Sequence, residues 1–191
     1  MRICVFCGSA AGGRPEYRAA AQAMGRALAA RKVGLVFGGG RVGLMGAVAD
    51  AVMAGGGEAI GVIPRALVDR ELGHRGLTEL RVVETMHERK ALMAELSEGF
   101  AALPGGIGTL EELFEAWTWA GLGIHRKPVG ILDVSGYWDP ILKMADRMVA
   151  EGFLPAPMRT ALLVASEPEA LLDGFAAHRP VDRWTPSDVR P

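Results

Sequence analysis

Short apolar runs alternate with longer stretches of mixed polarity from one end of the chain to the other. The runs at 3–7, 33–37, 59–63, 80–83, 100–103 and 129–132, with 162–164 as a seventh candidate, are rich in Val, Ile, Leu, Ala and Phe and show little polar alternation. Strands covered on both faces read this way, because neither face can tolerate a polar side chain. Between them, 16–31, 44–54, 87–97, 109–122, 138–151 and 167–177 carry the mixed pattern of helices. Strand and helix in strict alternation build right-handed βαβ units. The pattern therefore predicts an α/β fold, a Rossmann-like doubly wound parallel sheet of six or seven strands with helices on both faces. It forms a single domain over residues 1–178, followed by a loosely packed polar tail over 179–191.

Composition narrows what such a domain can do. Half of the 191 residues are hydrophobic, enough to bury a core without metals or disulfides. The formal net charge of −1 leaves no basic footprint for a nucleic-acid backbone. No apolar run approaches the roughly 18 residues that a membrane span requires, and the first residues lack a secretory signal pattern. A cytoplasmic protein with no membrane partner is expected. Cys4 and Cys7 have C-x-x-C spacing but lie within a strand run, and no second ligand pair accompanies them. They read as buried thiols, with no metal site.

In doubly wound sheets ligands bind at the carboxyl ends of the strands. Three strand exits here are rich in small residues: Cys7-Gly8-Ser9, Phe37-Gly38-Gly39-Gly40 and Leu103-Pro104-Gly105-Gly106. Glycines let the backbone approach an anion, and the helix that follows offers free N–H groups, so Gly8, Ser9, Gly39, Gly40 and Gly43 are candidate phosphate contacts. The same glycines also suit tight strand-to-helix packing. Gly38-Gly39-Gly40-Arg41-Val42-Gly43 formally matches the dinucleotide fingerprint, but the next strand ends in Ile63-Pro64 without the ribose-binding acid, which argues against NAD. No P-loop sequence occurs.

Two further clusters carry chemistry. Thr109 and Glu112 have the spacing of a T-x-x-E capping box, so Glu112 reads either as a capping carboxylate or as a reactive one beside a phosphate cradle. Arg89 and Lys90 fall near the start of a helix, where the macrodipole disfavours cations. They are either solvated surface or cations aimed at an anionic ligand. Phe114 and Trp117 share one face of the following helix, suited to the core or to a subunit contact.

Taken together, Gly38-Gly39-Gly40 with Gly43-Leu44-Met45-Gly46, then Met86-His87-Glu88-Arg89-Lys90, then Pro104-Gly105-Gly106-Ile107-Gly108-Thr109-Leu110-Glu111-Glu112 closely resemble the Lonely Guy family. Its members are cytokinin riboside 5′-monophosphate phosphoribohydrolases, often labelled lysine decarboxylases. The resemblance runs from about residue 3 to about residue 153. It implies hydrolysis of the N-glycosidic bond of a nucleoside 5′-monophosphate, a cytokinin nucleotide or AMP, without a cofactor. By the same resemblance Arg89 and Glu112 are the catalytic pair, and Glu71, Lys90, Gly105, Gly106, Ile107, Gly108, Thr109, Leu110, Glu111 and Thr118 shape the substrate site. The match around 68–79 is looser, and Glu71 falls there. A homodimer with its active site near the interface is also implied. The rival reading is a nucleotide-binding module of the molybdenum-cofactor-carrier kind, which binds without turnover.

Overall fold

The computed structural model of the chain describes residues 1–71 and 73–180, except for the side chains of 69–71. The tail expected from 179 onward falls almost wholly outside the described residues, as does the Glu71 side chain. Seven strands form one sheet: β1 (Arg2–Phe6), β2 (Gly34–Phe37), β3 (Ala59–Pro64), β4 (Glu79–Val83), β5 (Phe100–Ala102), β6 (Val129–Leu132) and β7 (Leu162–Ala165). Their order is β4-β3-β2-β1-β5-β6-β7, and every pairing is parallel. The helices are α1 (Pro15–Ala30), α2 (Gly43–Ala54), α3 (Arg65–Glu71), α4 (Met86–Leu96), α5 (Ile107–Gly121), α6 (Asp139–Ala150), α7 (Ala156–Ala161) and α8 (Pro168–Ala176).

Successive strand residues feed two separate cores. Ile3, Val5, Leu35 and Phe37 pack with Met24 and Leu28 of α1, Val48 and Val52 of α2, and Leu171 and Phe175 of α8. Cys4, Phe6 and Val36 pack on the other side with Met93 of α4, Leu113 and Trp117 of α5, and Ala145 of α6. A central strand thus loses water from both faces, which is why its sequence shows no polar alternation. Each fully buried large side chain contributes about 1.5–3 kcal/mol relative to exposure.

The short helices α3 and α7 have too few residues to show a period and are not anticipated by the pattern. The expected capping box is also absent. α5 starts two residues before Thr109, with Gly106 as an extended N-cap and no side-chain cap. Thr109 is buried, its hydroxyl lying against Gly105 so closely that a Cβ there would stand 2.1 Å from Oγ1. The side-chain cap forms instead on α4, where the Thr85 hydroxyl accepts from the Glu88 N–H at 3.1 Å and Glu88 accepts from the Glu84 N–H at 2.9 Å. That second T-x-x-E was equally legible in the sequence.

The chain leaves β1 toward β2 and later returns to its other side as β5. The crevice between these two strand ends is the topological switch point of the sheet, where doubly wound folds hold their ligands.

Candidate active site

At that crevice lies a solvent-open cleft of about 840 Å³. One wall is the exit of β1, Phe6-Cys7-Gly8-Ser9; another is the start of α5, Gly106-Ile107-Gly108-Thr109; Arg89 and Glu112 also face it, with Met45, Leu67, Met86 and Met93 supplying an apolar side. The amide N–H groups of Gly105 through Thr109 have no acceptor among the described residues. Three of them are the first N–H groups of a helix, which no intrahelical carbonyl can satisfy. Gly106 and Gly108 have nothing within 4 Å of where a Cβ would sit. Protein packing therefore does not demand glycine there, and the backbone stays open to close approach by a ligand. Unpaired donors arranged in this way can hold an anion.

Arg89 resolves the puzzle of a cation in the first turns of a helix. Its side chain is only 10% exposed. Nε donates to the Val62 carbonyl at 3.2 Å and Nη2 to the Gly38 carbonyl at 3.3 Å, both just past Phe37 and Gly61, the last pair of the β2–β3 ladder. Nη1 stands 3.6 Å from Glu112 Oε1. A Cβ at Gly38 would lie 1.9 Å from Nη2, so this glycine is required by the arginine. Anchored at two points, the guanidinium is a fixed charge rather than a solvated one.

Glu112 is nearly as buried, at 12% exposure. Burial pushes its carboxyl up to about 7, with a further push from Glu111 and Glu115, against the opposing pull of Arg89 and Lys90. A carboxyl poised near neutrality inside a cleft can exchange a proton with a substrate or water at physiological pH. Since the helix cap belongs to Gly106, capping no longer accounts for this residue.

The other expected residues separate into two groups. Gly8, Ser9, Gly106, Ile107, Gly108 and Thr109 line the cleft, with Gly105 beside them. Gly39, Gly40 and Gly43 do not: the Gly39 carbonyl accepts from the His74 N–H, and Gly40 pairs with Gly73. Lys90 lies over the neighbouring face of α5, bonding Glu111 at 2.5 Å and Glu115 at 3.0 Å beside Trp119. Burial depresses its ammonium, but the two carboxylates more than compensate and hold it above its ordinary value. Thr118 is exposed and Leu110 half-buried on α5. The apolar wall of Met45, Leu67, Met86 and Met93 was not singled out from the sequence, where single methionines carry no periodic signal.

A family model described as "Possible lysine decarboxylase" matches residues 45–175. A cytokinin riboside 5′-monophosphate phosphoribohydrolase of Arabidopsis thaliana is 52% identical over 165 residues, 86% of this chain and 76% of that protein. One from Oryza sativa is 52% identical over 164 residues, 86% and 68% respectively. The chain belongs to the Lonely Guy family. Among solved structures, the molybdenum cofactor carrier protein of Chlamydomonas reinhardtii has a TM-score of 0.69 at 20% identity, covering 93% of this chain and 98% of that one. The molybdenum cofactor binding protein of Rippkaea orientalis has a TM-score of 0.68 at 20% identity, covering 92% and 95%. At that identity the likeness concerns the fold alone.

The decarboxylase description fits the family poorly as represented here. Such chemistry uses a lysine aimed into the site to hold a pyridoxal group. None of Lys32, Lys90, Lys127 and Lys143 lines the cleft; Lys90 is held by two carboxylates and Lys127 donates to the Ala94 carbonyl at 2.6 Å. Both cysteines are free and buried, and burial pushes their thiols up, away from thiolate chemistry. Among the described residues no group of three His, Cys, Asp or Glu side chains comes together as a metal site, and no helix is long and apolar enough to cross a membrane.

Proposed function

We propose that this chain is a phosphoribohydrolase of nucleoside 5′-monophosphates, releasing a free base and ribose 5-phosphate. One observation carries the reading: a fixed guanidinium and a carboxyl poised near neutrality stand in the same cleft as a cradle of unpaired backbone N–H groups. The 5′-phosphate lies on the N–H groups of Gly106–Thr109, which are already aimed and need no reorganisation. The phosphate supplies binding energy that places the ribose over Glu112.

As the C1′–N bond breaks, its electron pair leaves with the base and positive charge builds on the ribose ring. Ionised Glu112 stabilises that charge and takes a proton from the water that attacks C1′; the departing base gains a proton in turn, so free base and ribose 5-phosphate are released and the carboxylate is restored. Arg89 keeps the carboxylate oriented and faces the anionic substrate. The apolar side formed by Met45, Leu67 and Met86 receives the flat base. Lys90 of α4 covers the adjacent face of α5 that carries Glu111 and Thr118, and a homodimer would carry that face into the site. Exposed Ile107 and Ile124 near the two ends of that helix support such a contact.

Chromatographic detection of free base from AMP and from isopentenyladenosine monophosphate, with the unphosphorylated nucleosides as controls, tests the reading. Release from the monophosphates alone is expected. Binding of both monophosphates without release at high enzyme concentration would replace the hydrolase with a carrier. Sedimentation of the full chain tests the dimer.

A further inference from the structure

The turn between β6 and α6 reaches the cradle from outside the cleft. Ser135 and Gly136 both adopt left-handed backbone, with φ of 55° and 71°, and this tight reversal leaves Tyr137 exposed beside the fully buried Trp138. The turn is closed by the Tyr137 N–H donating to the Val134 carbonyl at 3.1 Å and the Trp138 N–H donating to Asp133 at 3.0 Å. The Tyr137 ring is held edge-on by Tyr17 at 5.5 Å and by Trp138 at 5.4 Å. Its hydroxyl donates to the carbonyl oxygen of Gly105.

That carbonyl belongs to the Gly105–Gly106 peptide, which is trans and planar. Its opposite edge is the Gly106 N–H, one of the unpaired donors at the cleft. Because the peptide is rigid, holding the oxygen fixes the direction of the N–H. The need is real: neither glycine has a side chain to hold the peptide, the Gly106 carbonyl is tied to the Leu110 N–H at 3.1 Å, and among the described residues Tyr137 is the group that holds the Gly105 oxygen. Without that anchor the tilt of this peptide plane is less tightly held, and a cradle that must be ordered on binding loses affinity.

We propose that Tyr137 is a positioning residue of the anion cradle, its hydroxyl orienting the Gly105–Gly106 peptide so that the Gly106 N–H meets the substrate's 5′-phosphate. This deepens the phosphoribohydrolase reading and depends on it for the identity of the substrate, but not for the affinity toward phosphate itself. Tyr137 does not line the cleft, so its influence should follow the phosphate alone.

The test uses the full chain and Tyr137→Phe, which keeps the ring and its contacts with Tyr17 and Trp138. Calorimetric titration with ribose 5-phosphate, inorganic phosphate and adenine is combined with kinetics on AMP and with the thermal midpoint of the free protein. Loss of one orienting hydrogen bond should weaken both phosphate ligands about three- to tenfold. Adenine affinity and the midpoint should stay unchanged, and KM should rise more than kcat falls. Unchanged phosphate affinity overturns the proposal. So does equal weakening of phosphate and adenine, a midpoint that falls along with both, or a parent chain that binds neither phosphate ligand. A parent that binds ribose 5-phosphate but releases no base defeats the hydrolase reading, while the comparison of phosphate affinities still decides the role of Tyr137.

Discussion

Replacing Glu112 by Gln should inactivate the protein and stabilise it above neutral pH. The carboxyl is raised in the fold from an ordinary 4.5 to about 7, chiefly by burial. The folded state therefore binds the proton more tightly than the unfolded chain does, and stability is lost as pH rises from about 4.5 to about 7. At 1.36 kcal/mol per unit, that interval corresponds to roughly 3 kcal/mol of destabilisation once the group is ionised. Gln mimics the protonated carboxyl in size and charge and carries no such pH dependence. The two proteins should thus be equally stable near pH 4 and diverge through neutrality. At pH 8 the variant should lead by about 2–4 kcal/mol, or an apparent midpoint about 5–10 °C higher for a chain of this size. Urea unfolding followed by circular dichroism at several pH values in phosphate-free buffer measures the difference. A variant less stable than the parent at pH 8, or a gap that does not change with pH, would refute the reasoning. Either result would mean that the ionised carboxylate is a structural partner of Arg89 rather than a group held under strain for catalysis.

The same carboxyl should shape the kinetics: with ionised Glu112 as the active form, kcat/KM should fall below pH about 7 along a single-proton limb. A limb that falls above that pH would instead make Glu112 the acid. Lys90→Met removes a cation that lowers the Glu112 value, so this limb should move to higher pH; a limb at the original position would count against the coupling. Arg89→Lys cannot reach both the Val62 and Gly38 carbonyls, and should cost about 1–3 kcal/mol in stability together with most of the activity. Unfolding curves and base release check both effects, and a variant of parental stability would show that the anchoring bonds are dispensable. Gly108→Ala puts a methyl group into open space within a helix, so the free protein should be as stable or up to about 1 kcal/mol more stable, while ribose 5-phosphate binding weakens at least tenfold. Undiminished binding would move the phosphate away from this turn.

Much of this protein was legible from the sequence. Hydrophobic periodicity is a local property, and short runs such as Leu35-Val36-Phe37, bounded by Gly34 and Gly38, read as strands covered on both sides. Those runs, alternating with helical stretches, determined the doubly wound parallel sheet. The glycine-rich strand exits followed from the same reading, and the three spaced motifs determined the family. What lies between distant segments was not legible. The T-x-x-E spacing at Thr109 and Glu112 suits a cap, yet the backbone of Gly106 starts the helix earlier and leaves Glu112 within the cleft. Gly39 and Gly40 look like phosphate contacts, yet the fold sets them beside Gly73 and His74 and outside the lining of the cleft. Arg89 and Lys90 are neighbours in sequence, but helical rotation sends one to the Val62 and Gly38 carbonyls and the other to Glu111 and Glu115. The proton affinity of Glu112 and the bond from Tyr137 to Gly105 likewise exist only once the chain has folded. Desolvation and partner geometry depend on every segment that packs around a group, and only the tertiary structure brings those segments together.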